Sequence, residues 1–193
     1  MLPRRDVLLG GAAVAATFAG LPAFAGQTKQ DDETAIDPRK ARIIRVGRST
    51  TPGVIHVKPD EFALYWTMEN GRAIRYPIGV AKRHLWEPGS YVIRAKKEWP
   101  RWTPTPAMIE REPKYAKWED GMPGGPSNPL GARAMYLFDG NRDTMLRIHG
   151  TNMPHTILAR VSNGCARLTN GYVTDLYNRV PLGTRVHLYP MTV

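Results

Sequence analysis

The chain has a single cysteine among its 193 residues, and an internal disulfide needs two, so no such bridge holds the fold. Acidic residues are also scarce: 17 Asp and Glu stand against 27 Lys and Arg, a formal charge of +10. Long hydrophobic runs are missing too. The most apolar stretch, Val7–Gly20, falls short of the about 20 residues a membrane-spanning helix needs. There is no internal repeat and no low-complexity tract, which leaves one domain with a tail as the organisation. An apolar content of 42% is enough for a core.

What is present begins with a leader. Arg4-Arg5 makes a basic front, Val7–Gly20 an apolar middle, and Ala23-Phe24-Ala25 an A-x-A cleavage site. Residues 1–25 therefore read as a signal peptide cleaved before Gly26, in preference to a membrane anchor. The arginine pair resembles a twin-arginine signal, with Val7 where that pattern prefers Phe. Loss of the leader leaves 25 basic and 16 acidic residues, or +9. A basic exported chain suits an anionic polymer of a bacterial envelope, peptidoglycan or lipid phosphate. The export signal argues against nucleic acid, and a solvated basic surface without a partner is the plainer alternative. The expected location is the periplasm.

Residues 26–52 carry QTKQDDET and then Arg39, Lys40, Arg42, Arg45 and Arg48 without a sustained period. They read as a flexible basic lead-in poor in strands. Order is expected from Gly53, so that residues 53–193 form the domain. Val54–Val57 is β-branched, and Phe62, Leu64 and Trp66 alternate with Ala63, Tyr65 and Thr67. Asn70-Gly71 signals a hairpin, with a returning strand over Arg72–Val80. Further strands are expected at Tyr91–Arg94, Ala134–Phe138, Thr144–His149 and Thr184–Tyr189. Glu98–Asn128, punctuated by Pro and Gly, reads as a functional insertion or lid with a short helix within Ala107–Asp120. Val173, Leu176, Tyr177 and Val180 share a helical face after a Thr169 or Asn170 cap. The fold class is mainly β, with one clear helix after the cysteine.

The chemistry concentrates in Ile148–Leu168. Cys165 stands in Ser162-Asn163-Gly164-Cys165-Ala166-Arg167, and His149 precedes Gly150. A lone thiol with a histidine elsewhere is the sequence trace of a nucleophile and its base. A position a few residues before a helix start favours thiolate over thiol. Gly164 permits a positive φ or a close substrate approach, and neighbouring N–H groups suit an oxyanion hole. Arg167 suits a substrate carboxylate, and Gly150 supplies a carbonyl to orient His149. Blander readings stand beside these: an inert packed thiol, an Arg167 that meets only solvent, and Trp99 and Trp102 as packing rather than binding groups. A metal site of His149, His155 and Cys165 has the right ligand types but no tight spacing and no fourth ligand.

Through PGSYVI (Pro88–Ile93), NPLGARAMYL (Asn128–Leu137), IHGTN (Ile148–Asn152), SNGCARL (Ser162–Leu168) and LGTRVHL (Leu182–Leu188), the chain resembles the L,D-transpeptidase (YkuD-like) catalytic domain family over Gly53–Tyr189. The resemblance implies a β-sandwich-like domain and a cysteine acyl transfer on peptidoglycan stem peptides, without cofactor or metal. It gives Cys165 the nucleophile's role, His149 the base's, Gly150 the orienting carbonyl's, and Arg167 the substrate carboxylate. Ser162, Asn163, Gly164 and Trp102 are further substrate contacts. The acceptor is a second stem peptide or an envelope protein. A hydrolase of the same fold and a non-catalytic wall-binding module are the competing functions. Many family members have His where this chain has Asn163, and a bulkier aliphatic residue where it has Ala166.

Overall fold

A computed structural model describes residues 37–192. The expected signal peptide and the start of the lead-in lie outside the described residues. In chain order the strands are β1 (Arg42–Arg45), β2 (Val54–Lys58), β3 (Ala63–Met68), β4 (Arg72–Pro77), β5 (Val80–Ala81), β6 (Gly89–Glu98), β7 (Arg133–Asp139), β8 (Arg142–His149), β9 (Arg160–Ser162), β10 (Ala166–Arg167) and β11 (Arg185–Leu188). Helix α1 spans Pro106–Arg111 and α2 spans Asn170–Arg179. Nine strands form one sheet in the order β1-β4-β3-β2-β11-β6-β7-β8-β10, and β5 pairs with β9. The mainly β class, with its long helix after Cys165, is the one the chain adopts.

Local chemistry explains most of these elements. Asn70 and Gly71 both hold positive φ (61° and 61°), as the tight hairpin joining β3 to β4 requires. The returning strand is shorter than expected. Pro77 offers no N–H to extend the ladder, and β4 ends there. Two residues on, Gly79 exchanges both backbone hydrogen bonds with Arg167, each at 2.8 Å. In α2, the Thr169 hydroxyl accepts from the Tyr172 N–H, and Val173 and Leu176 are buried. They join Ile55, Tyr76, Met135, Ile148 and Leu168 in the core.

One expectation is corrected. The second half of the lead-in is not strand-poor: Arg42–Arg45 pair antiparallel with Arg72–Arg75 of β4. The sequence signal is only four residues long, and the edge of β4 supplies the order. The short helix expected within Ala107–Asp120 is present as α1, and the one adjustment is that it begins a residue earlier, at Pro106. Thr105 caps it, and Glu112, ahead of Pro113, leaves helical geometry at φ −138° and ψ 86°. A 3₁₀ turn over Pro113–Trp118 follows.

Candidate active site

The sheet order lays the two chemical motifs side by side. β10 runs parallel to β8, with Ala166 opposite Ile148 and Arg167 opposite His149. Cys165, His149, Arg167, Ser162, Asn163 and Trp102 all line a cavity of about 860 Å³. Gly150 and Gly164 stand behind its wall. The β6–β7 insertion roofs the cavity with Trp102, Tyr115 and Met122 among others. There Trp102 meets Tyr115 edge-on, with ring centroids 5.4 Å apart, and exchanges backbone hydrogen bonds with Met122.

His149 is 5% exposed. Its Nδ1 lies 2.6 Å from the Gly150 carbonyl oxygen. A carbonyl only accepts, so Nδ1 carries the proton and Nε2 keeps its lone pair. Burial lowers the His149 pKa to about 3; the Gly150 carbonyl opposes this, and the positive charges of Arg167 and Arg147 add to it. The ring is neutral at any physiological pH.

Cys165 is half-buried, and its Sγ is 4.0 Å from the Met145 carbonyl oxygen. Loss of solvent pushes the thiol's pKa up, against the pull of Arg147 and Arg167. α2 begins at Asn170, where the sequence places it, but burial of the thiol outweighs the expected preference for thiolate. The resting site holds a neutral thiol and a neutral imidazole. Ser162 Oγ donates to the Cys165 carbonyl at 2.6 Å and closes the turn. Gly164 within it has φ +129°, and a Cβ there would sit 3.1 Å from Leu146, so only glycine fits without strain.

Arg167 is 5% exposed and makes no ion pair among the described residues. Its Nε has no partner, and its Nη2 reaches the Thr156 carbonyl only at 3.5 Å. A buried guanidinium with unspent donors facing a cavity is suited to a planar anion. Burial lowers its pKa. His155 is exposed and does not line the cavity; among the described residues no group of His, Cys, Asp and Glu could hold a metal ion.

Several functional positions escape sequence reasoning. Asn170, read only as a cap, accepts through Oδ1 from the Ala132 and Thr151 N–H groups at 3.0 and 3.2 Å. A Cβ on Gly150 would fall 2.3 Å from that oxygen. Asn170 thus fixes the segment whose carbonyl holds His149. Met145 adopts φ +62° at 61% exposure and lines the cavity beside the thiol. Arg147 pairs with Asp143 through two bonds of 2.6 and 2.9 Å and stacks on Tyr136. Only the Gly-rich spacing hinted at any of this.

Residues 52–188 match the L,D-transpeptidase catalytic domain family (YkuD), and the chain belongs to that family. A "Probable L,D-transpeptidase ErfK/SrfK" of Escherichia coli K12 is 36% identical over 146 residues, covering 72% of this chain and 44% of the relative. This chain thus spans less than half of that relative's length. A crystal structure from Brucella melitensis, described as a probable carnitine operon oxidoreductase, is 47% identical with a TM-score of 0.55, over 82% of this chain and 96% of that one. An L,D-transpeptidase from Mycobacterium smegmatis shares the fold at 15% identity and TM-score 0.52, over 70% of this chain and 58% of that one. No helix among the described residues is long and apolar enough to cross a membrane.

Proposed function

We propose that the chain is a peptidoglycan L,D-transpeptidase of the bacterial periplasm. The carrying observation is that Cys165, His149 and an Arg167 without an ion pair among the described residues line one cavity while the Gly150 carbonyl accepts a hydrogen bond from Nδ1 of His149. The donor is a tetrapeptide stem, with its terminal carboxylate on Arg167. As the donor seats, Nε2 takes the thiol proton and Sγ attacks the carbonyl of the third-position diamino acid. The C–N bond to the terminal D-alanine breaks, its nitrogen receives the proton from His149, and a thioester remains. An amine then displaces the sulfur. If the amine is a second stem's side chain, the product is a 3–3 cross-link; if it belongs to an envelope protein, that protein is anchored to the wall.

Because thiol and imidazole rest neutral, the ion pair forms only with substrate in place. The charges of Arg147 and Arg167 are already directed toward the thiolate side of that transfer. Ser162, Asn163 and Gly164 shape the donor contact, and Trp102 roofs it.

Intact-mass spectrometry of the purified full chain with a disaccharide tetrapeptide, and separately with a carbapenem, tests this reading. A Cys165 adduct and loss of D-alanine are expected, with a 3–3 dimer if a stem amine is the acceptor. Tripeptide as the sole product would make water the acceptor and the protein a hydrolase. Folded protein that gives neither adduct nor product would overturn the acyl-transfer reading in favour of a wall-binding module.

A further inference from the structure

The cavity beside Cys165 is lined by six basic side chains, Arg101, Arg111, Lys114, Lys117, Arg147 and Arg167, and by two acidic ones, Glu87 and Asp143. The two carboxylates differ. Asp143 is occupied by Arg147 through two hydrogen bonds and by the Met145 N–H at 2.9 Å. Glu87 makes no ion pair among the described residues and is exposed at the cavity wall. It is the cavity's one free anion among the described residues.

Its place is fixed by the fold. The preceding Trp86 is buried and donates from Nε1 to the Tyr189 carbonyl at 2.8 Å. The Glu87 carbonyl itself accepts from the Tyr91 hydroxyl at 3.2 Å. Just ahead, the Leu85 carbonyl packs toward Gly164, next to the nucleophile. Glu87 lines the same cavity as Cys165, and its charge, the least of the influences on that thiol, works against the thiolate. A negative charge here opposes the first half of the reaction, and amid so many cations it adds nothing to holding an anionic donor. It is useful where a cation must come close to the thioester.

We propose that Glu87 is the acceptor-side anchor of this cavity: its carboxylate binds the alkyl-ammonium group of the incoming acceptor beside the Cys165 thioester. This rests on the acyl-transfer reading above. In the step it serves, the ammonium loses one proton to become the attacking amine. The C–N bond forms, the C–S bond breaks, a second amine proton ends on the sulfur, and the products are an amide, the free thiol and one released proton. Glu87 holds the cation until deprotonation and excludes acceptors that lack one.

The test compares two acceptors on the full chain preloaded with donor tetrapeptide. One is Nα-acetyl-lysine amide, whose side chain is an ammonium; the other is hydroxylamine, which is neutral at pH 8. Wild type must first release D-alanine; if it forms no thioester, both the acyl-transfer reading and this subsite fall. With the thioester established, Glu87→Gln is expected to raise the KM for the lysine acceptor about ten-fold, the value of one charge-assisted hydrogen bond. Its kcat should hold, and the KM for hydroxylamine should stay near the wild-type value. Glu87→Asp should recover part of the lysine KM. An unchanged lysine KM in Glu87→Gln, or equal losses for both acceptors, would remove Glu87 from the acceptor side while leaving the acyl-transfer reading intact.

Discussion

Arg167 lies directly beside His149 across the parallel β10–β8 pair, and among the described residues no carboxylate pairs with it. In the proposed mechanism this ties the donor's anchor to the base: an anion seated on Arg167 would offset a charge that adds to burial in lowering the His149 pKa. Substrate binding and base strength are thereby linked. Arg167→Lys keeps the charge and loses the planar fork, so the donor KM should rise about ten-fold with a smaller change in kcat. Steady-state D-alanine release across donor concentrations checks this, and an unchanged KM would separate Arg167 from the donor.

Removing the nucleophile or base should act at different depths. Cys165→Ala is expected to abolish thioester formation. His149→Ala should slow it by about 10²–10⁴-fold, the usual weight of general base catalysis. Asn163→His should be tolerated, since the role proposed for Asn163 is contact rather than proton transfer. Single-turnover mass spectrometry reads all three, and wild-type turnover by Cys165→Ala would sink the mechanism.

The thiol should titrate late. Burial raises the Cys165 pKa above its ordinary 9.0, so alkylation by iodoacetamide in the substrate-free protein should still be gaining rate as pH passes 9. A plateau near neutrality would show a preformed thiolate instead.

His149 also makes stability pH-dependent, with a definite sign. Its folded pKa, about 3, lies below the ordinary 6.5, so the unfolded chain takes up the proton first. Stability is complete above about pH 6.5 and falls as pH drops toward 3. Between pH 6.5 and 5 this one group should cost about 1.5 kcal/mol. Thermal melts of wild type and His149→Asn at the two pH values isolate the loss, which the variant should largely lack.

Asn170→Ala should leave the Ala132 and Thr151 N–H groups without their acceptor. The expected cost is about 1–3 kcal/mol of stability, together with slower turnover as the Gly150 carbonyl loses its fixed place. Asn170→Asp retains an acceptor oxygen and should recover most of both. Equal kcat in Asn170→Ala and wild type would confine Asn170 to a structural role.

The features legible in the sequence were those written in neighbouring residues. Asn70-Gly71 fixes its hairpin through φ alone, α2 shows its face through Val173 and Leu176, and the Cys165 turn advertises itself by Ser162 and Gly164. What was illegible depends on distant partners. β1 exists because β4, thirty residues on, offers an edge. Asn170 looks like a cap until the fold brings Ala132 and Thr151 to its oxygen. The depressed His149 and raised Cys165 follow from burial, which a string of letters does not record, and burial outweighs the expected pull of the helix start on the thiol.

The position of β11 makes it a clasp. This last strand is parallel to β2 and antiparallel to β6, and joins the β1-β4-β3-β2 ribbon to the β6-β7-β8-β10 ribbon. Without Arg185–Leu188 the two ribbons lose the strand they share and keep the Gly79–Arg167 backbone pair between them, the second ribbon bearing both His149 and Cys165. The ribbon that carries the site is thereby clamped to the other by a strand that follows Cys165 in the chain.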